Sequence, residues 1–192
     1  MIGYRLFNAG AVMARREEEE EVRIRLELAV KILGEGMSPS LASGTGSNIG
    51  YALRGARTPE DIAGVKGGIG KTGQEVQLAG GVTFGASEGV ARVVLTAMRT
   101  DPEIRSAAVI LCSPAVLAIL EDLLLEVCEF DRAREPPGVS TIDWGVAFCC
   151  REGVPDIIFD RGAPGKEPLI RILGEEPVAV AKTIVAVSHR LS

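Results

Sequence analysis

The stretch at residues 80–107, GGVTFGASEGVARVVLTAMRTDPEIRSA, constrains the fold more than any other part of the chain. Val82, Thr83 and Phe84 form a short β-favouring run that breaks at Gly85. Helical spacing then takes over. Val90, Val93, Val94, Ala97 and Met98 recur at i, i+3, i+4, i+7 and i+8, one stripe of a helix. Ser87 stands where an N-cap belongs, and Glu88 places negative charge in the first turn. A strand that feeds a helix through Gly85-Ala86-Ser87 leaves backbone N–H groups free at the turn, and such a terminus attracts anions, phosphate above all. An ordinary strand–helix connection that binds nothing has the same spacing.

The rest of the chain mixes strand-length apolar runs with helical stripes. In residues 16–33, Val22, Leu26, Ala29 and Leu33 share a helical face behind a run of glutamates, and Gly34 and Gly36 are expected to stop that helix. Residues 22–28 also alternate as a strand would. Gly44-Thr45-Gly46-Ser47-Asn48 is a second glycine-and-hydroxyl loop, followed by IGYALRGA, which reads as a short helical stretch. Ser47 or Asn48 can cap it, and the pair can offer hydrogen bonds to an oxyanion. Thr58-Pro59-Glu60-Asp61 has the pattern of a capping box with proline at the first helical position. Residues 65–80 read as strands or a hairpin, with Lys66 and Lys71 near the turns.

Residues 107–112, AAVILC, form a continuous apolar run of strand length, the mark of a strand buried on both faces. Ser113-Pro114 opens a helix that gathers Val116, Leu117, Leu120, Leu124 and Val127. After the Pro-rich loop 131–140, residues 144–150 read as a short helix or strand and 154–160 as a strand. Residues 161–168, RGAPGKEP, make a third unusual loop, followed by the strand LIRILG. A last helix opens at Glu176-Pro177 and aligns Val180, Ile184, Val187 and Leu191, leaving His189 on its polar side. Strands interleaved with helices, several of them apolar throughout, predict an α/β architecture of layers around one sheet, in a single domain spanning 1–192.

Composition removes several function classes. Hydrophobic residues make up 46% and charged residues 24%, as in a globular protein, and no apolar run approaches the ~18 residues a bilayer span needs. The first residues lack the charge–apolar–small order of a signal peptide, so a cytoplasmic location is expected. Arginine and glutamate are abundant while asparagine and glutamine are scarce, which fits a thermophilic source. A net charge of −5 argues against direct nucleic-acid binding. The four cysteines, Cys112, Cys128, Cys149 and Cys150, contain no C-x-x-C pair, and the single histidine, His189, leaves no zinc-ligand spacing. The vicinal Cys149–Cys150 is a redox candidate, but buried inert thiols account for it more simply.

Three strings together carry a family likeness. GSNIGYAL with ARTPEDIAGV (46–65), FGASEGVARVVLTAM with DPEIRSA (84–107) and PDIIFDRGAPGKEPLIRILG (155–174) resemble the ThiN family, the archaeal type of thiamine-phosphate synthase. The resemblance implies a class II aldolase-like fold: three α/β/α layers around a mixed, largely antiparallel sheet. It implies a reaction that joins hydroxymethylpyrimidine diphosphate to thiazole phosphate, releasing pyrophosphate and thiamine monophosphate. It also implies possible fusion to a kinase or helix-turn-helix domain, a small phosphorylated ligand as partner, no membrane, and possible homo-oligomers.

The likeness has two gaps. Catalytic members carry an arginine in P-G-R-I and a histidine in G-A-S-x-H, where this chain has Gly68 and Gly89, still 21 residues apart. No catalytic residue is therefore assigned, and the expectation is a domain that binds thiamine phosphate or its phosphorylated precursors with weakened or lost catalysis. The alternative is an active synthase. The resemblance assigns phosphate binding to Gly46, Ser47 and Asn48, to Gly85, Ala86 and Ser87, and to Lys166 as a cation; Asp143 and Glu167 are candidates to place magnesium with a diphosphate. Arg92 and Arg105 are expected to be structural, paired with Glu88, Asp101 or Glu103.

Overall fold

The computed structural model describes residues 2–191, and side chains from residue 10 onward except those of Thr141 and Asp143. Seven strands form one sheet. In chain order they are β1 (Asn48–Ala52), β2 (Ile62–Val65), β5 (Val82–Phe84), β6 (Ser106–Leu111), β7 (Val127–Glu129), β8 (Ile157–Asp160) and β9 (Leu169–Gly174). In space they run β5-β2-β1-β6-β9-β8-β7. Only β7 and β8 pair in parallel; every other neighbouring pair is antiparallel. The remaining strands, β3 (Ile69–Thr72) and β4 (Glu75–Leu78), form the separate hairpin expected in 65–80.

Strand periodicity divides the core into two. Successive side chains of a strand point to opposite faces. Thus Ile49 and Tyr51 of β1, Ala108 and Ile110 of β6, Ile157 and Phe159 of β8, and Ile170 and Ile172 of β9 join one apolar cluster. Ala52, Ala107, Ile158 and Leu173 join the other. Over the first face lie α1 (Ile2–Gly36), α3 (Pro114–Asp122) and α5 (Pro177–Leu191), with Leu26, Leu33, Leu120 and Ile184 in the cluster. Over the second lie α2 (Glu88–Met98) and α4 (Thr141–Cys149). The α2 stripe predicted from spacing is the buried one: Val93, Val94 and Ala97 are fully covered, and each such valine contributes about 1.5–3 kcal/mol. This is the three-layer α/β/α arrangement with a mixed, largely antiparallel sheet.

Several elements differ from their sequence reading, each for a physical reason. IGYALRGA is not helical: its first half is β1, buried at all five positions between β2 and β6. Neighbouring strands supply its backbone hydrogen bonds, and that overrides local helix propensity. A Cβ added at Gly50 would sit 2.9 Å from Val90 Cγ1, so the glycine lets α2 approach the sheet. Ser47 and Asn48 accordingly cap no helix. The first helix passes through Gly34 and ends at Gly36, where an added Cβ would meet Val185 of α5 at 2.8 Å; that glycine also permits close helix contact. The stripe predicted after Pro114 breaks early. Leu124 takes a left-handed φ of 58° and is 92% exposed, and Val127 begins β7.

The cysteines also depart from expectation. Cys149 is disulfide-bonded to Cys128, because α4 brings it beside edge strand β7 with the Cα atoms 5.7 Å apart. Cys112 and Cys150 are free and buried. Burial pushes the Cys112 thiol up to about 11 and raises that of Cys150, which makes both inert at neutral pH. Among the described residues no helix is long and apolar enough to cross a membrane.

Candidate functional site

The two glycine-opened connections meet. On the α2 side of the sheet, the loop entering β1 and the first turn of α2 border one hollow of about 260 Å³. Thr45, Gly46, Asn48, Ser87 and Gly89 line it with polar groups or bare backbone, while Val93, Val109, Ile142 and Leu169 supply apolar walls. Arg171 of β9 also lines it.

Gly85, with φ of +70°, turns the chain from β5 toward the helix in the left-handed region that favours glycine. Ser87 then caps α2 by accepting from the Val90 N–H at 3.5 Å. The N–H groups of Glu88 and Gly89, first in the helix, have no intrahelical partner. Asn48 is locked in place: its Nδ2 donates to Val65 O at 2.9 Å, and its Oδ1 accepts from the N–H groups of Val65 and Ile49. Ser47 is 1% exposed; its Oγ accepts from Ser43 N at 3.0 Å and donates to Leu41 O, which holds the loop from behind.

Of the residues the sequence singled out, the structure brings Gly46, Asn48 and Ser87 to the hollow. Ser47, Gly85 and Ala86 shape its connections without lining it. Lys166 is exposed in the tight turn Ala163–Lys166, closed by two backbone hydrogen bonds, and is not among the lining residues. Glu167 beside it has other work. Its carboxylate accepts from Gly44 N at 3.2 Å, Thr45 N at 3.0 Å and Thr45 Oγ1 at 3.1 Å. Those donors hold its carboxyl below the usual range. Through these bonds Glu167 ties the 44–45 loop to the β8–β9 connection. The Asp143 side chain lies outside the described residues.

Gly89, where the resemblance implies a histidine, borders the hollow, and Gly68, where it implies an arginine, lies behind Ser47 and Asn48. A Cβ added at Gly89 meets nothing within 4 Å. At Gly68, φ is +84° and an added Cβ would lie 2.9 Å from Ser47 O and 4.0 Å from Asn48 Nδ2. Arg92 pairs with Glu88 at 2.8 Å. Arg105 does not find the acidic partners expected of it. It is buried, donates to Ala52 O, lies over the Tyr51 ring and reaches Glu18 at 3.6 Å, because β6 carries it under the edge of α1. His189 is exposed.

Sequence reasoning missed a buried ionic cluster. Asp160, fully buried, accepts from Arg132, from Arg171 Nη1 at 2.9 Å and from Gly162 N at 2.9 Å. Arg171 is 2% exposed and stacks over Phe130, 5.2 Å from the ring centre. Desolvation lowers its pKa from the ordinary arginine value, with Asp160 opposing. The one available signal was a charged residue in the middle of the otherwise apolar strand LIRILG.

Comparison with known proteins gives this architecture a family. Residues 25–186 match the sequence model of the family described as thiamine-phosphate synthase ThiN. The chain is 39% identical over 170 residues to the bifunctional thiamine biosynthesis protein ThiDN of Methanocaldococcus jannaschii, covering 86% of this chain and 40% of that protein. It thus spans less than half the length of that relative. It is 34% identical over 180 residues to the thiamine-phosphate synthase ThiN of Methanothermobacter thermautotrophicus, covering 90% of this chain and 93% of the relative. Among solved structures, the C-terminal domain of a phosphomethylpyrimidine kinase superposes with a TM-score of 0.83 at 36% identity, over 88% of this chain and 100% of that one. An aldolase II superfamily protein from Pseudomonas syringae shares the fold at a TM-score of 0.53 and 10% identity, over 90% of this chain and 74% of that one. With the family model spanning most of its length and two such relatives beside it, the chain belongs to the ThiN family of thiamine-phosphate synthases.

Proposed function

We propose that this ThiN domain binds thiamine phosphate or one of its phosphorylated pyrimidine or thiazole precursors in the hollow between β1 and α2, with catalysis weakened or lost. The observation that carries the reading is the mixed lining of that hollow, polar groups beside apolar walls. The Ser87 hydroxyl and the N–H groups that open α2 at Glu88 and Gly89 suit an oxyanion, and Val93, Val109, Ile142 and Leu169 suit a flat heterocycle. The ordered polar frame around Asn48 supports a preformed site, since its amide is already held by β2.

Weakened chemistry follows from what stands at 68 and 89. Departure of pyrophosphate builds negative charge on the leaving oxygens, and a cation or proton donor aimed there stabilises it. Losing one such donor typically costs about 3 kcal/mol, roughly a hundredfold in rate, and both positions are glycine here. A second reading, an active synthase, draws support from the presence of all three loops and from a relative named as a synthase. Mixing the purified chain with hydroxymethylpyrimidine diphosphate and thiazole phosphate and following thiamine monophosphate separates the two. Binding with turnover at least a hundredfold below that of the 34%-identical relative is expected; turnover equal to the relative's overturns the loss of catalysis and leaves the synthase.

A further inference from the structure

We propose that Arg171 is the cation that holds the phosphate or diphosphate end of the ligand, with Asp160 and Arg132 positioning its guanidinium. This rests on the reading that the hollow takes a phosphorylated ligand, and it names the group that does the holding.

The argument starts from charge. Two guanidinium groups, Arg132 and Arg171, converge on the single carboxylate of Asp160, and all three side chains are at least nine-tenths buried. The cluster therefore carries one positive charge in excess. A buried charge without a counter-charge is costly, and an anion seated against it removes that cost. Arg132 is turned away from the role. Its Nε and Nη2 go to Asp160, and Nη2 also reaches Glu167 O. Arg171 is the member that faces the hollow.

Hydrogen-bond accounting points the same way. Arg171 Nη1 donates to Asp160 Oδ2 at 2.9 Å and to Leu169 O at 3.4 Å. Among the described residues its Nε and Nη2 find no acceptor, yet no buried side-chain nitrogen or oxygen there is left without a partner. Those two nitrogens therefore reach open space, and the open space that Arg171 lines is the hollow. Two adjacent N–H vectors in one plane are the fork that binds two phosphate oxygens at once.

The remaining walls fit an anion at that position. The start of α2, at Ser87 and Gly89, borders the same cavity and adds the positive end of a helix. Among the described residues the nearby carboxylates are engaged elsewhere: Glu88 with Arg92, Glu167 with the 44–45 loop, Asp160 with the two arginines. Phe130 under the guanidinium and Asp160 beside it prevent the side chain from swinging to another rotamer. An oxyanion between Arg171 and the α2 terminus would direct the heterocycle toward Val93 and Ile142.

The test is calorimetric titration of the whole chain with inorganic pyrophosphate and with thiamine monophosphate, for the native protein, Arg171→Met and Arg171→Lys. Arg171→Met is expected to weaken both ligands by about 30-fold or more, as loss of a buried charged hydrogen-bonding partner does, and Arg171→Lys to recover part of that loss. A folded Arg171→Met protein that binds both ligands as the native protein does overturns the proposal while leaving the binding function intact. A native protein that binds neither overturns both. Should Arg171→Met fail to fold, a crystal of the native protein with pyrophosphate decides. An oxyanion about 3 Å from Nε or Nη2 supports the assignment, and pyrophosphate held only elsewhere overturns it.

Discussion

Positions 68 and 89, both glycine, are not equivalent vacancies. A side chain at 89 enters open space at the second position of α2, so Gly89→His is expected to fold with a melting temperature within a few degrees of the native protein. Gly68 has φ of +84°, and its Cβ would press on Ser47 O at 2.9 Å. Gly68→Arg is therefore expected to destabilise by about 1–3 kcal/mol, through left-handed strain and displacement of the loop that carries Asn48. Thermal melts of the two single variants check this, and equal melting temperatures contradict it. Introducing both side chains together thus requires the 45–48 loop to move, so Gly89→His alone is the cleaner probe of the expectation that a histidine there raises turnover.

Glu167 carries a pH dependence at the same scale. Its carboxyl is held below the usual range by the N–H groups of Thr45 and Gly44, so the tie it forms is complete above the ordinary glutamate range and is lost as pH falls through its lowered folded value. The side chain is solvent-accessible, so the effect on global stability is small. Hydrogen exchange of the Gly44 and Thr45 amides is the better readout. Their protection is expected to drop in acid and to drop at neutral pH in Glu167→Gln, with little change in the melting temperature.

Elements in this chain are set by contacts their own residues do not reveal. LIRILG and AAVILC were legible as strands because they are apolar runs of the right length, and α2 because its stripe has helical period. IGYALRGA was not, since its place between β2 and β6 is decided by chain segments up to sixty residues away. The loops bordering the hollow could be seen in the sequence from their glycines and hydroxyls. Arg171 could not, because its partners Asp160 and Arg132 come from other elements and only the folded sheet brings them together. Gly50 tests the packing of α2 on β1 directly. Gly50→Ala forces a methyl within 2.9 Å of Val90 and is expected to cost about 1–3 kcal/mol of overpacking, read from chemical denaturation. The Cys128–Cys149 link is the other element-scale lever. It closes a loop of about twenty residues, so its reduction is expected to cost about 3 kcal/mol and to lower the melting temperature.

At the scale of the whole molecule, a seven-stranded sheet covered on both faces presents its cavity where the loop entering β1 meets the start of α2. One face is sealed by α1, α3 and α5, and the hollow lies on the face that α2 and α4 share. Family membership ties this scaffold to relatives named for thiamine biosynthesis and thiamine-phosphate synthesis.

The most direct measurement of the central claim is a map of backbone amide shifts in the isotope-labelled chain as thiamine monophosphate is added. The largest changes are expected at Gly46, Asn48, Gly89 and Arg171, the residues on which the hollow closes. Changes confined to the separate groove at Gly55, Arg57 and Arg99, or no changes at millimolar ligand, would contradict the claim.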